Sequence, residues 1–160
     1  MHDAVQQSSE ETVERIRRLV DLTGDERVLV AGGGPLPELG SHVAELSEAE
    51  AEQLTELPFP RGSFDVALSL GALHHVRRPE LAVAELARVT RLGGRLLVAD
   101  RLASIDPLQA IELDRRERES DPTHTRFLPD ADMRGYFDSN GLVLLRSDVQ
   151  AGTGWYVLRR

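Results

Sequence analysis

Cysteine and lysine are both absent from this 160-residue chain, although it carries 19 arginines. Without cysteine there is no thiol nucleophile, no disulfide and no thiolate metal site. Without lysine there is no Schiff base to a carbonyl or to pyridoxal phosphate, and no phosphate-loop lysine. No apolar run approaches the ~20 residues of a membrane span, and the polar, acidic stretch Met1–Glu14 does not read as a signal peptide. The expectation is a soluble, cytoplasmic protein. Basic charge is also short. The net charge of -8 argues against a nucleic-acid partner, which needs a surface able to neutralise many phosphates. What remains for chemistry is histidine, carboxylates, hydroxyls and any bound cofactor.

Apolar residues at 41% and charged residues at 29% describe an ordinary globular chain, of a length suited to one domain spanning 1–160. No repeat or linker divides it. Val13, Ile16, Leu19 and Val20 recur at helical spacing, which predicts a helix over Ser9–Asp21. Arg27–Ala31 is a short apolar run stopped by Gly32, Gly33 and Gly34, the pattern of a buried parallel strand. Phe64–Leu70 and Arg95–Arg101 read the same way, with a helix between them that starts at Pro79 and ends at Gly93-Gly94. Further helices are predicted over Ile105–Ser120 and Pro129–Asn140, and an antiparallel strand pair over Leu142–Arg146 and Trp155–Leu158. Strands alternating with helices make an α/β sandwich of three layers, with a mostly parallel sheet of about five strands.

The stretch from Leu57-Pro58-Phe59-Pro60 through Phe64-Asp65-Val66-Ala67-Leu68-Ser69, Leu73-His74-His75-Val76 and Leu92-Gly93-Gly94-Arg95 to Asp100 covers 44 residues. It resembles the class I S-adenosylmethionine-dependent methyltransferases, in the small-molecule branch that includes quinone-ring methyltransferases. The resemblance implies a Rossmann-like fold, S-adenosylmethionine as cofactor and a small-molecule substrate. It also implies cofactor contacts at Gly32, Gly33, Gly34 and Leu70, and a site at the carboxyl ends of the strands.

The cofactor loop departs from that family. The family's first strand ends in an acid followed by Gly-x-Gly-x-Gly, so that backbone approaches the cofactor closely and a carboxylate receives its ammonium. Here Val30 stands in place of the acid and Leu36 in place of the last glycine. The span is short as well. Two strand–helix–strand units need about 55–60 residues, but only 31 run from Val28 to Pro58. Either a helix over Ser41–Leu57 replaces two lost strands, or His42–Leu46 is a remnant second strand. The abundance of Ala, Glu and Leu favours the helix. In the remnant alignment Glu45 becomes the ribose ligand. These losses predict impaired cofactor binding. The alternative is a member of the fold that is non-catalytic or works without the cofactor.

His74 and His75 follow a strand at the ligand-facing edge, where a histidine serves as general base or simply shapes the pocket wall. Asp100 ends the next strand and either orients substrate or caps a loop. His124 and Arg126 precede the Pro129 helix and are candidates for an anionic or phenolic substrate group. No metal site is expected, since adjacent histidines point in different directions. Loss of two strands would leave the Val28 strand at a sheet edge, so a homodimer or a heteromer covering that edge is expected.

Overall fold

The computed structural model describes residues 2–33, 39 and 42–160. Gly34, Pro35 and Leu36 of the glycine-rich loop lie outside them. Helix α1 spans His2–Val20 and is followed by strands β1 (Arg27–Gly32) and β2 (His42–Leu46). A run of 3₁₀ turns over Glu48–Thr55 leads to β3 (Phe64–Leu70), a 3₁₀ turn at Leu73–His75, α2 (Pro79–Val89) and β4 (Thr90–Arg101). The chain closes with α3 (Pro107–Ser120), α4 (Asp130–Ser139), β5 (Val143–Gln150) and β6 (Thr153–Arg159).

The strands form one six-stranded sheet in the order β2-β1-β3-β4-β6-β5. The first four are parallel, and β6 pairs antiparallel with both β4 and β5. Every β1 residue after Arg27 is buried, because both faces of the strand are covered. On one face Leu29, Ala67, Leu96 and Leu158 pack with Val83 and Leu86 of α2 and with Met133 and Phe137 of α4. On the other, Val28, Val66, Leu68 and Leu97 lie with Ile16 and Val20 of α1.

One expectation is corrected here. His42–Leu46 is a strand and not part of a helix over 41–57, and it runs beside β1 in the register Val28↔Val43 and Val30↔Glu45. Helix propensity loses because a β1 edge would otherwise stand open, and ladder hydrogen bonds outweigh a few tenths of a kcal/mol per residue. The sheet therefore has six strands rather than five. β1 is an inner strand, and the association expected at its uncovered edge loses its basis. The opposite edge, β5, is exposed along most of its length. It carries Arg146, Asp148 and a register shift between Leu144 and Arg146, all features that discourage strand addition.

The methyltransferase-like stretch is tied together by side chains. Arg88 of α2 hydrogen-bonds the carbonyls of Phe59 (2.9 Å) and Leu57 (3.1 Å), while Glu85 accepts the Leu57 amide (2.8 Å). Asp65 at the start of β3 accepts the Arg27 amide (2.8 Å) from β1 and Arg91 Nε (2.9 Å) from β4. Asp65 thus acts as a clasp across three strands. The Arg27 amide, with smaller help from the Arg91 and Arg27 side chains, holds the Asp65 carboxyl below its ordinary value. A depressed carboxyl stabilises the fold above its unfolded pKa and ceases to do so as pH falls through the folded value. Asp65→Asn is accordingly expected to cost about 1–2 kcal/mol at pH 7. In urea melts the wild-type advantage should shrink steadily below about pH 4.

Candidate functional site

The chain passes from β1 outward to β2 and then back across to β3, so the strand order reverses between β1 and β3. Ligands of open α/β sheets bind outside the carboxyl ends of the strands at such a switch point. Gly32 ends β1 there, and Leu70 and Gly71 lie opposite it at the end of β3. Gly32 has φ of 75°, and a Cβ on it would lie 2.2 Å from the Leu70 carbonyl oxygen. A Cβ on Gly33 would lie 2.9 Å from Leu70 Cδ1. Protein therefore occupies the space that these glycines leave.

Glu45, exposed near the end of β2, is directly beside Val30 in the sheet. Val30 is itself only 1% exposed, an apolar side chain packed in the core under α1. Nine residues, 33–41, join β1 to β2, fewer than the dozen or more of a helical crossover between parallel strands. Of the cofactor contacts expected from sequence, Gly32, Gly33, Leu70 and Glu45 share this edge. Gly34 falls outside the described residues.

The histidines stand one strand further along. Asp100, 3% exposed at the end of β4, accepts from His74 Nδ1 at 2.7 Å and from the Leu73 amide at 2.9 Å. A carboxylate only accepts, so a neutral His74 ring in this bond carries its proton on Nδ1. The fork of Asp100 across ring and backbone fixes both the tautomer and the angle of the imidazole. His74 and Asp100, named separately from sequence, are thereby brought together.

His75 is used differently. Its Nδ1 lies 2.8 Å from Thr123 Oγ1, which donates to Asp121 Oδ1 at 2.6 Å. The Thr123 hydroxyl is the main cause holding the Asp121 carboxyl below its ordinary value. His124, with a fully buried side chain, bonds Asp114 of α3 through Nε2 at 2.8 Å, and its Nδ1 has no hydrogen-bond partner among the described residues. These bonds tie the turn after β3 to β4 (His74–Asp100), the loop between α3 and α4 to that turn (Thr123–His75), and the loop to α3 (His124–Asp114). The His74 ring lies 4.0 Å from that of His75 and 5.4 Å from that of His124. Asp114 and Asp121 had no signal in the sequence, since each sits in a charged run that reads as solvated surface.

Beyond this cluster, a cavity of about 1100 Å³ opens between the end of β4, α3, the start of α4 and the β5–β6 turn. Arg126 lines it, with Arg101, Leu113, Phe127 and Val149, whereas His124 is buried behind Phe127 with ring centroids 4.5 Å apart. Asp130 at the same wall accepts from the Tyr156 hydroxyl (2.5 Å) and Arg134 Nε (2.9 Å). The Tyr156 bond, then Arg134, holds the Asp130 carboxyl down; burial first, then Asp130, pushes the Tyr156 hydroxyl well up.

Comparison with known proteins agrees with this geometry. Residues 35–98 match the family described as methyltransferase domain. The chain is 35% identical over 94 residues to the uncharacterized methyltransferase YcgJ of Bacillus subtilis (strain 168), covering 59% of this chain and 36% of that protein. The crystal structure of YcgJ superposes with a TM-score of 0.71 at 22% identity, over 89% of this chain and 74% of that one. The chain has the class I S-adenosylmethionine-dependent methyltransferase fold. It is also 49% identical over 51 residues to a demethylmenaquinone methyltransferase of Renibacterium salmoninarum, over 31% of this chain and 21% of that one. The [4+2]-cyclase SpnF shares the fold with a TM-score of 0.71 at 14% identity, over 97% of this chain and 82% of that one. The chain spans 36% and 49% of the lengths of the first two curated relatives it matches. Among the described residues no helix of this methyltransferase-fold chain is long and apolar enough to cross a membrane.

Proposed function

We propose that this chain is an S-adenosylmethionine-dependent methyltransferase-like domain that acts on a small molecule and holds its cofactor weakly. The observation that carries the reading is the β1–β2 register, which sets Glu45 beside Val30. Glu45 supplies a carboxylate suited to the ribose hydroxyls. Val30 offers nothing to the ammonium of the cofactor's amino-acid end, which would enter a low-dielectric site without a counter-charge. The residues therefore fit one end of the cofactor and not the other. In this reading His74, oriented by Asp100, takes a proton from an acidic O–H or N–H of the small molecule as it becomes nucleophilic.

Calorimetric titration with S-adenosylhomocysteine tests this. The missing charge-assisted contact and the shortened loop are expected to weaken binding by roughly 10²–10⁴-fold relative to a site with both acids. Glu45→Ala should weaken it by about a further tenfold. A low-micromolar dissociation constant would overturn the weak-binding reading. No heat at millimolar ligand would favour a second reading, a cofactor-free member of the fold. That second reading draws on the position of the cavity, away from the switch point, and on the fold's use by the cyclase SpnF.

A further inference from the structure

The cavity beside α3 has a charge pattern that its surroundings do not explain. Two arginines, Arg101 and Arg126, and two aspartates, Asp114 and Asp130, line it among mostly apolar groups. The aspartates are committed elsewhere. Asp114 Oδ1 accepts from His124 and from the Phe127 amide (2.9 Å), and Asp130 accepts from Tyr156 and Arg134. Arg126 lies against Tyr136 and within the field of Glu80. Arg101 has no ion pair among the described residues; its guanidinium stands 5.0 Å from the centre of the Phe127 ring. In a chain of net charge -8, this leaves Arg101 as a cation over an apolar floor with no ion pair among the described residues.

Helix α3 roofs the cavity without filling it. None of its residues is buried, and its Leu108 and Ile111 are exposed. Asp106 caps its own first turn at the Leu108 and Gln109 amides, and the Asp114–His124 bond ties the helix to the loop that follows it. A helix fixed by polar bonds rather than by its own apolar face keeps open the space beneath it. That space, about 1100 Å³, is at the upper end of the range for small-molecule sites.

The geometry points to this cavity as the binding site of an apolar small molecule bearing one anionic group, the anion held by Arg101. The contact with the Phe127 ring limits the freedom of the guanidinium, whose N–H groups can make two parallel bonds to a carboxylate or sulfonate. Arg126 adds positive potential at the same wall. The inference rests on the reading of the domain as acting on a small molecule, but needs no cofactor.

The test uses the full chain without cofactor and a matched pair of fluorescent probes. 1-Anilinonaphthalene-8-sulfonate carries the anion, and N-phenyl-1-naphthylamine has the same rings without it. The sulfonate is expected to saturate at one site per chain and to bind at least tenfold more weakly to Arg101→Gln. The neutral probe should change less than twofold. Ala110→Trp, placed on the cavity wall, should abolish binding of both. Equal affinity of the two probes with no effect of Arg101→Gln would overturn the proposal. So would binding that survives Ala110→Trp and disappears in Leu108→Ser/Ile111→Ser, which would assign the probe to the outer face of α3. Failure of S-adenosylhomocysteine to bind would sink the methyltransferase reading while leaving these outcomes as they stand.

Discussion

Gly32→Ala is expected to destabilise the domain by about 2–5 kcal/mol, enough to consume much of the stability of a domain of this size. The left-handed backbone there costs an alanine about 1–2 kcal/mol. Driving a methyl to 2.2 Å from the Leu70 carbonyl forces β1 and β3 apart, at about 1–3 kcal/mol more. Gly24 provides the control. It has φ of 106° with nothing within 4 Å of its would-be Cβ, so Gly24→Ala reports the strain alone. Urea denaturation of both variants should show Gly32→Ala as clearly the worse. Equal losses would mean that β1 and β3 move apart at no cost.

Asp100→Ala is expected to cost about 2–4 kcal/mol, because it strips the partners from a part-buried imidazole and a buried amide together. Asp100→Asn keeps an oxygen for the Leu73 amide, and its loss should be nearer 1–2 kcal/mol. The asparagine amide can donate to His74 Nδ1, which moves the ring proton to Nε2. Long-range proton–nitrogen NMR of the His74 ring should therefore report the opposite tautomer in Asp100→Asn. An unchanged tautomer would show that Asp100 does not set the ring's proton, and with it would go the argument for His74 as a base.

The central stretch was legible because its signals are local and agree with one another. Leu57–Asp100 contains a buried strand, a proline-started helix and a second strand, each with its own pattern, and the structure keeps all three. His74 and Asp100 could be named for the same reason, since strand ends in this architecture face the ligand edge. Their direct bond, across 26 residues of sequence, could not be read in advance. His75 and His124 show the limit more sharply. Nothing in Asp121-Pro122-Thr123-His124 says that one side chain reaches His75 and another turns inward to Asp114.

From the amino-acid pattern alone came the α/β class, the parallel centre, the antiparallel end and the absence of thiol and lysine chemistry, while the acid missing at Val30 came from the family resemblance. Periodicity and residue type carry that information within a few neighbouring positions. Tertiary structure alone decided the state of His42–Leu46, whose composition favours helix but whose backbone completes the ladder along β1. It also decided that Arg101 has no carboxylate partner among the described residues while Asp114 and Asp130 are taken. Pairing across a sheet and neutralisation across a cavity depend on groups brought together from distant positions, and no local window of sequence contains both partners.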